Sequence, residues 1–158
     1  MPRFFRRLEE GVFDQEDLAL RTRELAHFVR AAEKEYSLTP GHMVAVGFSN
    51  GANIAASMLM TDPEVLAGAA LMRGMPPFVP ARPWNLNHKP VLILSGNNDP
   101  IVGRDQANQL ANLFRKANAN LTVHWSEAGH NLSEDDLHVA RDWITSSFLN
   151  QANHSQKE

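Results

Sequence analysis

A serine, an aspartate and a histidine in this 158-residue chain each follow the end of a short apolar run. Ser49 follows Met43–Phe48, Asp99 follows Val91–Ser95, and His130 follows Leu121–Trp125. Together these side chains could perform nucleophilic catalysis. A serine hydroxyl is a weak nucleophile near neutral pH; a histidine can remove its proton and return it to a leaving group, and a carboxylate can fix the imidazole tautomer and stabilise the imidazolium. Ser49 lies in Gly47-Phe48-Ser49-Asn50-Gly51, a G-x-S-x-G, between a Val-rich run and small residues (Ala52, Ala55, Ala56) at helical spacing. That context predicts strand, sharp turn and helix, with a strained serine lifted above the sheet. Side chains at Gly47 and Gly51 are expected to collide with the neighbouring strand or helix. The backbone N–H of Asn50, at a helix N-terminus, is placed to stabilise a developing oxyanion.

Each signal is weak alone. A bare G-x-S-x-G occurs by chance in roughly 5% of chains this long, Asp99-Pro100 also reads as a turn and helix entry, and His130 reads equally as a loop histidine. Their order and their shared position beyond strand ends set them apart. His27 falls on the polar side of a helix, His42 before its strand, and His88 in a loop. His124 falls inside a strand, His138 on a helix and His154 in the tail. No His/Asp/Glu cluster has metal-ligand spacing, and no cofactor is expected.

The elements that must position these residues follow from periodicity. Strands alternate with helices, which predicts an α/β fold with a parallel sheet and a ligand crevice at the C-terminal strand ends. Met1–Gly11 reads as a surface segment with one or two buried aromatics, or as a substrate-facing rim through Phe4 and Phe5. A helix is expected over Phe13–Tyr36, capped by Asp14 and packed on the sheet through Leu18, Leu25, Phe28, Val29, Ala32 and Tyr36. After the strand Met43–Phe48 come a helix over Asn50–Met60 and a buried strand over Val65–Met72. The Pro-rich loop Arg73–Pro90 is long enough to suggest function or mobility; Met75, Phe78 and Trp84 either line an acyl pocket or anchor the loop. A strand over Val91–Ser95, a helix over Arg104–Ala117 and a strand over Leu121–Trp125 follow. Ser133 opens the last helix, with Asp136 at capping-box spacing and Leu137, Val139, Ala140, Trp143, Ile144 and Phe148 facing inward. One domain is expected over 1–150, with a polar tail at 151–158.

Composition narrows the classes. A net charge of −3 and 43% hydrophobic residues describe a globular chain and give no support to nucleic acid or an anionic membrane as partner. There is no Cys, hence no disulfide, thiolate metal site or Cys nucleophile. No apolar stretch follows Arg3, Arg6 and Arg7 as a secretory leader requires, and no run is long enough to span a bilayer. The expected location is cytoplasmic.

GFSNGANIAASML, LSGNNDPIV, EAGHNLSEDDLHVARDWI and the upstream RFFRRLEEGVFDQEDLALRTRELAHFV resemble the phospholipase/carboxylesterase branch of the α/β-hydrolases, in its subgroup of MhqD-like bacterial esterases. The resemblance implies hydrolysis of carboxylic esters, or thioesters, through an acyl-enzyme, with Ser49 as nucleophile, Asp99 as acid and His130 as base. Phe48, Met75, Phe78 and Ile101 are the candidates to contact a small ester substrate. Gly103 departs from the family pattern, which has Pro after Asp-Pro-Ile-Val. A larger departure is that no His-Gly loop, the usual source of a second oxyanion donor, precedes Ser49. Relative to the family the N-terminal strands are missing, so the Met43–Phe48 strand is expected at a sheet edge, where it invites homodimerisation. The alternative is a catalytically weak or silent fragment acting as a binding or oligomerisation module.

Overall fold

The computed structural model describes residues 3–9 and 11–149. A short antiparallel hairpin, β1 (Arg7–Glu9) and β2 (Val12–Phe13), leads into α1 (Gln15–Glu35). Then follow β3 (Val44–Phe48), α2 (Asn50–Thr61), β4 (Gly68–Met72), β5 (Pro90–Gly96), α3 (Arg104–Lys116), β6 (Asn120–Ser126) and α4 (Glu134–Ile144), which runs into a π-helical turn over Thr145–Leu149. The four long strands form one parallel sheet in the order β3-β4-β5-β6. This is the expected α/β fold, with β3 at an edge. The tail at 151–158 lies outside the described residues.

The central strands are buried on both faces and accordingly read as unbroken apolar runs. Ala69, Leu71, Val91 and Ile93 face Ala52, Ala55, Ala56 and Leu59 of α2 and Leu110, Ala111 and Phe114 of α3. The alternate residues Ala70, Met72, Leu92 and Leu94 face Ala140 and Trp143 of α4. The alanines of α2 set its close approach to the sheet. Two caps fix where helices begin. The Asp14 carboxylate accepts the Asp17 N–H at 3.0 Å. The Ser133 hydroxyl accepts the Asp136 N–H at 3.3 Å, while Asp136 accepts the Ser133 N–H at 2.8 Å.

Several expectations are corrected. The N-terminal segment carries the one buried aromatic expected of it, Phe5, packed edge-on against Phe13 at 5.1 Å, and adds the unexpected β1–β2 hairpin. The chain turns there at Gly11, φ +73°. The helix α1 packs on α2, not on the sheet, and its buried face is Leu18, Thr22, Ala26, Val29 and Glu33. Phe28 and Tyr36 are 66% and 73% exposed. The reason is helix–helix contact: Thr22 and Ala26 are small, and the Thr22 hydroxyl meets the Ser57 hydroxyl at 2.8 Å, so the two backbones approach along a stripe that aromatic side chains would hold apart. Val65–Ala67 belongs to a turn rather than to β4. Leu137 of α4 is exposed at 54%.

Candidate active site

Ser49 occupies the turn between β3 and α2 at φ +53°, ψ −113°, a conformation that costs an L-residue energy and persists only where the surroundings over-determine it. Its N–H donates to Met72 O at 2.8 Å and its carbonyl accepts the Asn53 N–H at 3.0 Å. The turn needs Gly47: a Cβ there would overlap the Gly51 carbonyl and the Ala52 nitrogen. The expected collision at Gly51 is absent. Its nearest neighbour is the Phe4 ring, 3.7 Å from a would-be Cβ, which is ordinary contact.

The structure brings the three candidate residues together. His130 Nε2 lies 3.0 Å from Ser49 Oγ, and His130 Nδ1 lies 2.9 Å from Asp99 Oδ2 and 3.1 Å from Oδ1. Asp99 Oδ1 also accepts the N–H groups of Ile101 and Val102, at 2.8 and 3.0 Å. The Asp99 side chain is only 1% exposed. Burial pushes its carboxyl up, but the Val102 N–H, His130 and the Ile101 N–H together outweigh that, and it stands below the ordinary 3.8. An imidazole bridged in this way to a hydroxyl and a carboxylate can accept the hydroxyl proton. Asn50 opens α2, where the first-turn N–H groups have no preceding carbonyl to accept them; its side chain instead accepts the Phe4 N–H at 2.8 Å. Of the rim residues Phe4 and Phe5, the first is 51% exposed and the second buried.

Phe48 stands 42% exposed beside His130, with ring centroids 5.3 Å apart, and Ile101 is 36% exposed. Met75 packs in a cluster with Phe5, Ile54 and Val102, and its N–H is held by Asn53 Oδ1 at 2.9 Å. Phe78 is half-buried against the same cluster. Trp84 packs edge-on against Phe114 at 5.3 Å, so it anchors the Pro-rich loop. Gly103 has φ −65°, within the range of proline, so the departure there leaves the backbone path open to either residue. Among the described residues no group of His, Asp and Glu could hold a metal ion, and no helix is long and apolar enough to cross a membrane.

Three further residues support the site, and of these only Asp136, at its capping-box position, carries a sequence motif. The Arg73 guanidinium and the Asp136 carboxylate are 0% exposed and paired at 2.6 Å beneath the His130 loop. For Arg73 the available signal was its place beyond the end of an apolar strand, a position shared with Ser49, Asp99 and His130. Gly96 ends β5 where a Cβ would overlap the carbonyl oxygens of Ala128 and Gly129, and the loop is pinned there by Asn98 N–H to Ala128 O at 3.1 Å. Backbone cannot swing aside as a side chain can, so Gly96→Ala should shift the loop that carries His130. The expected cost is about 1–3 kcal/mol of stability, checked by urea unfolding of the variant beside the wild type.

Asp136 also titrates below 3.8: burial raises it, but Arg73 and the two Ser133 donors lower it further. A carboxyl with a depressed folded-state pKa adds stability above its unfolded value and loses it as pH falls through the folded one. Urea unfolding of the wild type should therefore weaken on acidification below about pH 5. The gap to Asp136→Asn, about 3–5 kcal/mol at pH 7, should narrow below pH 3.8. A gap constant with pH would contradict the ion pair.

Comparison with known proteins follows the same lines. The family model of the dienelactone hydrolase family matches residues 6–153. MhqD of Bacillus subtilis (strain 168) is 41% identical over 149 residues, 94% of this chain and 74% of that protein. The crystal structure of the Bacillus cereus carboxylesterase superposes with a TM-score of 0.91 at 46% identity, covering 94% of this chain and 70% of that one. A carboxylesterase from Mesorhizobium loti superposes at 0.85 with 28% identity, over 90% and 68% of the two chains.

Proposed function

This chain belongs to the dienelactone hydrolase family of the α/β-hydrolase superfamily, and from that premise we propose that it cleaves carboxylic esters through an acyl-enzyme formed on Ser49. The single observation that supports this most is the continuous hydrogen-bonded line from Ser49 Oγ through both nitrogens of His130 to Asp99. His130 removes the hydroxyl proton as Ser49 attacks the ester carbonyl, then gives it to the departing alcohol; a water repeats the sequence to release the acid. Asp99 holds Nδ1 protonated so that Nε2 is free to accept. The Asn50 N–H stabilises the oxyanion. Phe48 and Ile101 form the exposed wall against the substrate, with Met75 and Phe78 supporting from beneath. A thiol leaving group fits the same scheme.

A second reading, a binding or oligomerisation module, has one observation in its favour. Among the described residues the outer edge of β3 is unpaired in the sheet order. An apolar groove of about 200 Å³ runs along it, lined by Phe4, Leu25, Val46, Ile54 and Met58 among others, and a second copy could add a strand there. Hydrolysis of a short-chain nitrophenyl ester by the wild type and by Ser49→Ala separates the two readings. Turnover that depends on Ser49 supports the esterase; a folded protein without turnover supports the module.

A further inference from the structure

We propose that the buried Arg73–Asp136 pair is the device that positions His130 and keeps it in register with Ser49, an inference that rests on the esterase reading for its consequence in turnover. His130 sits in a loop between β6 and α4 with no ladder or helix of its own to hold it. One guanidinium supplies what the loop lacks. Arg73 Nε donates to Gly129 O at 2.9 Å and Nη2 donates to Asn131 O at 3.3 Å, so the residues on both sides of His130 are tied to the same planar group. The other edge of that group meets Asp136 through Nη1 to Oδ1 at 3.2 Å and Nη2 to Oδ2 at 2.6 Å, and Nη2 also reaches Ser126 Oγ at 3.2 Å. The end of β6, the loop and the first turn of α4 thus converge on one side chain.

Two costs fall on Arg73. Burying an ion pair is no better for stability than burying apolar groups of the same volume, and its backbone is held at φ +54°, a conformation disfavoured for an L-residue. Stability accounts for neither. Both are explained by where the bonds end. Met72 O accepts the Ser49 N–H at 2.8 Å, and the next residue, Arg73, grips the His130 loop. The two adjacent residues therefore fix the nucleophile and its base against one point at the end of β4, which sets the 3.0 Å between Ser49 Oγ and His130 Nε2. Arg73 is in this sense a positioning residue and touches no substrate.

Arg73→Lys is the first test. Lysine keeps the charge opposite Asp136, but a point ammonium cannot span from that carboxylate to both loop carbonyls as the rigid fork does. The expected result is a folded protein with kcat reduced at least about tenfold and KM within about twofold. The downfield NMR resonance of the His130 Nδ1 proton, shared with Asp99, should be shifted or lost. Arg73→Met with Asp136→Leu removes both charges together, avoids an unpaired buried ion, and should lose kcat to a similar degree. A folded variant with wild-type kcat, or with the His130 resonance unchanged, overturns the proposal; so does absence of that resonance from the wild type. The resonance is read without turnover. If the wild type hydrolyses no ester, loss of the signal in Arg73→Lys still upholds the positioning role while the esterase reading fails.

Discussion

Ser49→Ala is expected to lower ester turnover by about 10⁴-fold or more while leaving the fold intact. The hydroxyl is the only atom removed, and it points from a half-buried turn to His130 rather than into the core. Alanine at the same φ of +53° inherits the strain but no new clash, so unfolding should change by no more than about 1 kcal/mol. The loss in turnover comes from two sources. No covalent intermediate can form, and His130 has no serine proton to take. The comparison is informative whatever the absolute rate. Any factor that slows both proteins equally, such as the number of oxyanion donors, divides out between wild type and variant. Initial rates with a short-chain nitrophenyl ester, at matched concentrations of folded protein, make the measurement. A variant that turns over like the wild type would show that hydrolysis arises elsewhere on the surface, and the acyl-enzyme on Ser49 would have to be given up.

The candidate site was legible because α/β topology converts sequence position into spatial position. Ser49, Asp99 and His130 are 50 and 31 residues apart along the chain, yet each follows a strand of one parallel sheet, so all three emerge at the C-terminal ends of its strands. Helix caps at Asp14 and Ser133 were legible for a related reason, since the chemistry of a cap is satisfied within four residues. What was missed depends on contacts between distant segments. The apolar pattern of α1 marks Phe28 and Tyr36 as core residues, but its partner is α2, and the Thr22–Ser57 hydroxyl contact decides which stripe is buried. Gly51 looks obligatory in the motif, whereas the space around it is set by Phe4, which precedes a hairpin whose strands are too short for any alternation to announce them. Arg73 is the clearest case. A charge after an apolar strand reads as a solvated end until the loop near residue 130 and the first turn of α4 close over it.

The aspartate offers the sharper discrimination between a catalytic trio and an accidental one, because its two readings respond oppositely to one substitution. If Asp99 only shapes the turn into α3, its work is to accept the Ile101 and Val102 N–H groups on Oδ1. Asparagine does that equally well, since its amide oxygen can take the same two donors. In that case Asp99→Asn should leave turnover close to wild type. If Asp99 orients His130, the same substitution is severe. The two backbone donors fix the asparagine oxygen where Oδ1 was, so its NH₂ group takes the place of Oδ2, 2.9 Å from His130 Nδ1. A donor there makes Nδ1 an acceptor and moves the imidazole proton to Nε2, the nitrogen 3.0 Å from Ser49 Oγ. The base then faces the nucleophile with a proton already in place and cannot accept another without charging opposite a neutral amide. The expected result is a loss of about 10⁴-fold in kcat with KM little changed, because no group that contacts substrate has been altered. Steady-state kinetics beside a thermal unfolding curve decide the matter: a loss smaller than about tenfold in a folded protein would reduce Asp99 to a turn residue and leave His130 without its partner.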